Sequence, residues 1–489
     1  MNPLAALYKP SLALLTDLYE LTMAYGYWKT GMIDREAVFH LIFRENPFGG
    51  GFTIACGLEN AIEYLEGLRF DDTDLAYLAS LRGSDGQPLF EPAFCEFLRD
   101  LPLAVDVDAV PEGTVVFPHE PLVRIRGPLV QSQIVETALL TIINFQTLIA
   151  TKAARVVLAA QGEPILEFGL RRAQGIDGGV SASRAAYIGG CAGTSNLLAG
   201  KLYGIPVKGT HAHSWVMSFD DELDSFLAYA KAMPNNCVFL VDTYNTLEGV
   251  RHAVEVGRWL RSQGHEMGGI RLDSGDLAYL SIEARRLLDE AGFPDAAIVG
   301  SGDLDEHIIT SLKTQGAAIN VWGVGTRLAT GYDQPAMGGV YKLSAIQSDG
   351  HWEDRIKLSE QQVKTSNPGV LQVRRYFRDG EAAGDAIYDL QHPIADGSTI
   401  VDPTDITRRK RFHDDTHWED LLVPVFREGQ RVYAMPSIEE IRQRVQQQLA
   451  LFHGGIKRFV NPHRYPVGLE IGLHERKTAI ILRQRGFAK

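Results

Sequence analysis

The sequence predicts an α/β protein whose chemistry is carried by a run of βα units in its middle. Three observations lead there. Between about residues 137 and 340, short apolar runs end in Gly, Asp, Ser or Thr and pass directly into helical periodicity. The last four of these runs begin at Val238, Gly269, Ala297 and Ile319, 31, 28 and 22 residues apart, the rhythm of successive βα units. The flanking segments read differently, as helices mixed with short alternating strands. With 489 residues the chain exceeds what one hydrophobic core organises, so more than one domain is expected.

Four regions follow in order. In residues 1–136, the stretch 12–25 has helical spacing, and 113–127 sets apolar residues 115–117 and 122–125 on either side of a Pro-containing turn. In residues 137–340 the strand candidates are 165–168, 186–188, 207–209, 238–241, 269–272, 297–299 and 319–322. Amphipathic helices over 246–263 and 277–291 lie between them, each closing near a glycine. Such units fit a closed barrel or an open doubly wound sheet, and periodicity leaves both open. Residues 341–430 follow strand-like texture, with pieces at 340–344, 355–358 and 370–377. Residues 431–489 carry a helix over 438–452 and are expected to end in loop and strand material.

Composition excludes several partners. Lys plus Arg is 48 against 61 Asp plus Glu, a net charge of −13, which repels a polyanion, so no nucleic acid is expected. A local basic pocket for a small phosphorylated ligand is compatible with that balance. Cys56, Cys95, Cys191 and Cys237 form no C-x-x-C pair and read as reduced thiols of a cytoplasmic protein. The most apolar run, 137–160, is broken by Asn144, Gln146, Lys152 and Arg155. No stretch reaches the roughly 18 uncharged apolar residues of a membrane span, and no membrane partner is expected.

In either βα architecture ligands bind at the carboxyl ends of the strands. Those ends carry Arg171 and Arg172, then Gly193-Thr194-Ser195-Asn196, then His211-Ala212-His213-Ser214 and Asp242-Thr243-Tyr244-Asn245. Arg271-Leu272-Asp273, Gly300-Ser301-Gly302-Asp303 and Gly323-Val324-Gly325-Thr326 follow. Arginines, backbone amides, carboxylates and a histidine together suit a phosphorylated sugar with a magnesium ion. Each group also has a structural reading: Asp276 and Asp303 as helix N-caps, Arg171 with Arg172 as a surface pair. His211 and His213 lack the third nearby ligand that a zinc site needs. What a structural reading does not require is ligand-capable groups at every successive strand end.

These residues sit in an ordered series: TDLYELTM (16–23), Phe43-Arg44 and Pro47-Phe48, EFGLRRAQG (167–175), GTSN (193–196), HAHS (211–214), VDTYN (241–245), IRLDSGDL (270–277), GVGT (323–326), KLS (357–359) and NPHRYPV (461–467). In this series the chain closely resembles the nicotinate phosphoribosyltransferases over nearly its whole length. The resemblance implies a type II phosphoribosyltransferase fold. An irregular α/β barrel (137–340) would carry the site. A discontinuous α+β sandwich would be built from 1–136 and completed by strands of 341–430, with 431–489 as a helical and strand extension. It implies formation of nicotinate mononucleotide and diphosphate from nicotinate and 5-phosphoribosyl 1-diphosphate, the first step of NAD salvage from nicotinate. Coupled ATP hydrolysis, Mg2+ and a homodimer with shared active sites come with it.

The resemblance also distributes roles. His213 would be phosphorylated by ATP, and imidazole suits that task because its neutral form is nucleophilic. Asp242 would orient it. Arg271 and Asp273 would contact the phosphoribosyl donor, Asp273 through the ribose or the metal. Gly300, Ser301, Gly325 and Thr326 would cradle the 5-phosphate. Tyr19 and Phe168 would sandwich the nicotinate ring, Arg171 would stand beside it, and Tyr19 would come from the other subunit. Arg44, Lys342 and Lys357 would lie near the phosphates, also across the dimer. His211 receives no role, because the family varies there, and a core histidine satisfied by a backbone carbonyl fits it better than it fits His213. The nicotinamide-using relative would place an aspartate where Ser195 stands, and a carboxylate there would repel nicotinate whereas a hydroxyl can donate to it. Quinolinate as substrate would call for more cations, and a non-catalytic phosphometabolite-binding barrel is the alternative from another class.

Overall fold

Six parallel, largely buried strands hold the middle of the chain together. They are β1 (Ile165–Glu167), β2 (Gly193–Thr194), β3 (Val238–Leu240), β4 (Gly269–Leu272), β5 (Ala297–Ser301) and β6 (Val321–Val324). The computed structural model describes residues 11–359, 365–394, 398–413 and 416–487. It divides into two units, one spanning Leu148–Pro335 and the other Met1–Thr147 with Ala336–Lys489.

In the Leu148–Pro335 unit the sheet order is β2-β1-β6-β5-β4-β3, with every neighbouring pair parallel. Phe239, Ile270, Leu272, Ile298 and Trp322 are fully buried along it, each such side chain contributing about 1.5–3 kcal/mol by leaving water. The helices start where the sequence supplies caps. Asn245 accepts from the Glu248 N–H at 3.1 Å ahead of helix Thr246–Ser262. Asp276 accepts from the Tyr279 N–H at 3.1 Å ahead of helix Leu277–Glu290, so Asp276 is an N-cap. Asp303 is not: helix Glu306–Thr314 is capped by Asp305.

Two expected strands are corrected. Residues 186–188 form the last turn of helix Gly175–Ile188. Over residues 182–188 every side chain of that helix is buried, a pattern that a short run cannot distinguish from a strand. The strand that flanks β1 on the side away from β6 is Gly193–Thr194, too short and too polar to announce itself. At 207–209 only a single parallel bridge forms, between Thr194 and Val207.

The other unit contains a seven-stranded antiparallel sheet in the order His351–Asp354, Gly339–Ser348, Glu36–Phe43, Pro121–Pro128, Asp106–Ala109, Val423–Arg427, Gln430–Arg431. A six-stranded mixed sheet runs Arg409–Arg411, Thr399–Val401, Val467–Glu470, Glu381–Asp389, Leu371–Arg378, Trp418–Asp420. His40 and Arg124, on the first sheet, bond the Leu371 N–H and carbonyl at 3.1 and 2.7 Å. Arg375 and Asp385 form an ion pair at 2.6 Å with both side chains fully buried. Here the expected helix at 12–25 is Leu18–Lys29. Residues 355–358 lie outside any strand because the Lys357 N–H turns to the Ser366 hydroxyl (2.9 Å). The loop and strand material expected after the 438–452 helix includes strand Val467–Glu470, but it is not the last element: helix Ile471–Gln484 follows, and its N-cap Glu470 accepts from Gly472 and Leu473.

All four cysteines are buried thiols. The helical run Leu129–Ala160 exceeds the sequence expectation, being long and apolar enough to cross a membrane by length and mean hydropathy. Its Lys152 and Arg155 are nonetheless buried against Glu306 at 2.7 and 2.8 Å, as in a core helix.

Candidate active site

The carboxyl ends of β4 and β5 bring Arg271, Asp273 and Ser301 into one hydrogen-bonded group. The Arg271 guanidinium donates to Asp273 Oδ1 at 2.7 Å, to the Ser301 hydroxyl at 2.8 Å and to the Thr210 hydroxyl at 3.3 Å. Ser301 donates onward to Asp273 Oδ1 at 2.5 Å. Burial raises the Asp273 pKa, but the bonds from Ser301 and Arg271 outweigh it, and the carboxyl stays below its ordinary value. Residues 271 and 273 share a face as their extended spacing requires. Gly302 has φ +102°, and a methyl there would run into the Asp273 carbonyl oxygen, so only glycine lets this loop close on the cluster.

His213 opens the short helix His213–Val216. Its Nε2 lies 3.8 Å from Asp273 Oδ2, and the ring remains partly exposed. Its Nδ1 lies 3.1 Å from the Thr243 hydroxyl. The expected orienting carboxylate, Asp242, is bound otherwise: its Oδ2 accepts from the Asp273 N–H at 3.0 Å and from the Ser274 hydroxyl at 2.6 Å. Its Oδ1 is buried and takes no hydrogen bond among the described residues. Thr243, beside Asp242 in the VDTYN segment, is the residue that sequence reasoning passed over.

Phe168 follows β1, and its N–H donates to the Val324 carbonyl at 2.8 Å. The Arg271 guanidinium stands 5.7 Å from its ring centroid, a cation–π separation. Gly323 lies flat against the same ring, since a Cβ there would come within 2.7 Å of it. Arg171 is exposed in the Leu170–Arg172 turn. Ser195 is half-buried, its N–H bonded to the Glu167 carbonyl at 3.0 Å. Glu167 is itself a buried hub for this corner, accepting from the Ser183 and Thr194 hydroxyls at 2.9 and 2.6 Å. Gly300 and Ser301 are buried at the end of β5, and Gly325 caps the turn of helix that Thr326 begins.

Tyr19, Arg44, Lys342 and Lys357 belong to the other unit. Burial lowers the Lys342 pKa, Glu136 opposes that, and the positive charges of Lys357 and Arg44 lower it further, so these cations share one electrostatic neighbourhood. Tyr19 is 47% exposed, and burial with Glu136 and Glu20 raises its phenol pKa. Arg44 also lines a cavity of about 360 Å³ with His119, His463 and Arg464.

The chain is similar to known proteins over most of its length. Residues 164–381 match the nicotinate phosphoribosyltransferase (NAPRTase) family, 14–144 its N-terminal domain and 372–477 its C-terminal domain. The chain is 46% identical over 464 residues to the nicotinate phosphoribosyltransferase of Bacillus subtilis, covering 94% of this chain and 93% of that one. The Caenorhabditis elegans enzyme of the same name is 36% identical over 551 residues, covering 97% and 94%. The crystal structure of human nicotinic acid phosphoribosyltransferase superposes with a TM-score of 0.83 at 33% identity, covering 95% of this chain and 99% of that one. A nicotinate-nucleotide pyrophosphorylase from Pyrococcus furiosus shares the fold at TM-score 0.67 and 22% identity. With its mixed α/β fold and the ordered strand-end residues described above, the chain belongs to the nicotinate phosphoribosyltransferase family.

Proposed function

We infer that this enzyme transfers the 5-phosphoribosyl group to the ring nitrogen of nicotinate, forming nicotinate mononucleotide and diphosphate, with ATP hydrolysis coupled through His213. The observation that carries the reading is the Arg271–Asp273–Ser301 group with the His213 imidazole beside it. In the transfer, the anomeric C–O bond to diphosphate breaks and the bond to the nicotinate nitrogen forms. Positive charge develops on the ribose, negative charge on the leaving group. Arg271 neutralises donor phosphate charge, Asp273 faces the ribose, and the amides and hydroxyls of Gly300, Ser301, Gly325 and Thr326 hold the 5-phosphate. Phe168 supplies a flat apolar face, and Arg171 and Ser195 meet the nicotinate carboxylate.

With Nδ1 engaged at Thr243, Nε2 is the nitrogen of His213 that attacks the terminal phosphoryl group of ATP. ADP leaves with the P–O bonding pair, and water later takes the phosphoryl group from the imidazole. Asp242 and Asp273 fit the expected Mg2+. Such ions bind through one or two carboxylates and substrate phosphates, and the buried, unbonded Oδ1 of Asp242 is the donor left over. No group of three His, Cys, Asp or Glu side chains is assembled as a metal cage among the described residues. When bound, the ion offsets charge on the diphosphate.

An irregular barrel is the finer reading of the sheet. It is supported by the Thr194–Val207 bridge, which adds a seventh parallel position beside β2. A homodimer in which Tyr19, Arg44, Lys342 and Lys357 serve the partner's site is supported by Leu12, Leu15, Leu18 and Tyr19, exposed by 36–53% within eight residues.

Incubation with ATP labelled in its terminal phosphate, alongside product assays with nicotinate, nicotinamide and quinolinate, tests the reading. Acid-labile label on the wild type and none on His213→Ala is expected, with nicotinate the preferred substrate. His213→Ala should lose ATP stimulation yet keep ATP-independent turnover. Equal ATP stimulation in both proteins would remove the phosphohistidine step.

A further inference from the structure

The segment between β2 and the His213 helix touches both edges of the six-stranded sheet. At one edge it bonds by backbone: the Thr194 N–H donates to the Pro206 carbonyl at 3.0 Å, and the Lys208 N–H donates to the Thr194 carbonyl at 2.9 Å. At the other edge stands β3, whose Leu240 pairs in register with Arg271 of β4. The next N–H along, that of Val241, points to β4 and donates to the Arg271 carbonyl. The Leu240 N–H therefore points away from the sheet, where no strand follows among the described residues. What it meets is a side chain: the imidazole Nε2 of His211 accepts from it at 3.3 Å.

His211 is built for that bond. It is 8% exposed, with Tyr229 packed edge-on at 4.9 Å and Phe226 and Phe239 at 6.0 and 6.4 Å between ring centroids. Burial first, opposed by the Ala212 carbonyl and reinforced by Arg271, holds its pKa at about 4, so the ring stays neutral. With Nε2 accepting, the proton sits on Nδ1, facing the Ala212 carbonyl at 3.4 Å. A backbone N–H left without an acceptor in this apolar nest would be disfavoured. Two residues further on, His213 makes its own contact to the same strand end, through Thr243. The HAHS segment is thus fastened to the end of β3 at two points, His211 to the strand and His213 to the loop after it.

We propose that His211 is a positioning residue: its imidazole joins residues 206–211 to the outer edge of β3 and thereby sets the reach of His213 toward the phosphoryl donor. This rests on the phosphohistidine reading above. Two variants separate the acceptor from the packing. His211→Phe keeps an aromatic ring and loses the acceptor, whereas His211→Gln places an amide oxygen near the position of Nε2.

The measurements are the initial rate of acid-labile labelling from ATP, turnover with and without ATP, and amide exchange at Leu240 by mass spectrometry. His211→Phe should label at least about tenfold more slowly, while its ATP-independent turnover stays within about twofold of wild type. His211→Gln should restore labelling to within about threefold and keep the Leu240 amide protected. Should His211→Phe fail to fold, labelling and Leu240 protection in His211→Gln decide the matter alone. Wild-type labelling by His211→Phe, slow labelling by His211→Gln, or rapid Leu240 exchange in the wild type would each overturn the proposal. A wild-type enzyme that takes up no label would instead defeat the phosphohistidine step.

Discussion

In the Leu148–Pro335 unit, the groups of the candidate site stand where backbone elements end. Asp273 follows β4, Ser301 closes β5, and Phe168 follows β1, so chain direction alone delivers them to one rim. In the unit built from both ends of the chain, charged groups meet by tertiary packing. Arg375 on strand Leu371–Arg378 bonds Asp385, the Val115 carbonyl (2.8 Å) and Gln448 (3.1 Å), and Tyr465 donates to Asp385 at 2.8 Å. The difference separates two uses of charge. At the rim, Arg271 and Asp273 keep partial access to water, at 16% and 29% exposure, which the proposed exchange of partners with a substrate requires. Arg375 and Asp385 are fully enclosed and fix one arrangement of segments remote in sequence.

The largest effect expected from that distinction is on stability. Arg375→Met leaves Asp385 buried without its counter-charge, which costs about 3–5 kcal/mol and lowers Tm by on the order of 10 °C. Urea denaturation reads it. Turnover of the folded variant at low temperature should stay within about threefold of wild type, and Asp385→Leu added to Arg375→Met should recover most of the loss. A variant with unchanged Tm and a tenfold loss of kcat/KM would show that the enclosed pair serves catalysis and erase the distinction.

The rim predicts the reverse. Gly302→Ala sets a methyl against the Asp273 carbonyl at a backbone angle of φ +102°, so the β5 loop must shift and carry Asp273 with it. A displacement near 1 Å at reacting groups costs about 100-fold in rate, or about 2.7 kcal/mol. Steady-state kinetics on a variant that still melts cooperatively within a few degrees of wild type should report that loss. Unchanged kcat/KM would mean that the rim tolerates a looser geometry than its hydrogen bonds suggest.

The same contrast explains what could be read from sequence. The strands β3, β4 and β5 and their terminal Asp242, Asp273 and Ser301 were legible because local apolar runs and local turn residues specify them. β2 was not, since two residues beginning with glycine carry no periodicity, and its place is set by partners on β1 and by Glu167 accepting from Thr194. Thr243 escaped because the more acidic Asp242 beside it is the more conspicuous partner for an imidazole. The bond between His211 and the Leu240 N–H escaped because its donor belongs to a strand 29 residues further along. The terminal helix Ile471–Gln484 was missed because charged residues interrupt its apolar positions and only Leu473 is fully buried.

The smallest effect concerns pH, and it belongs to the unit formed by the two chain ends. Glu20 is completely buried, and Gln133 donates to it at 2.6 Å and to Glu136 at 3.1 Å. Burial, resisted by the Gln133 bond and aided by the Glu136 charge, raises the Glu20 pKa from its ordinary 4.5 to about 7. Between those values the folded protein holds a proton that the unfolded chain has released, so stability falls as pH rises through this window and levels off above it. The rim carboxylate Asp273 acts oppositely: its pKa is depressed, so its contribution is lost only in acid and is constant above pH 5. His119 and His211, each held near 4 chiefly by burial, make stability rise with pH up to their ordinary 6.5, so the slope of the wild type alone is a mixture. Glu20→Gln isolates one part of it. The variant should gain stability relative to wild type as pH increases from 5 to 7.5, by a few degrees in Tm at one kcal/mol per roughly 2–4 °C, and hold that gain at pH 8. Scanning fluorimetry of both proteins across that range checks it. A constant difference at every pH would mean that Glu20 retains no proton in the folded protein and, like Asp273 at the rim, stays ionised across this range.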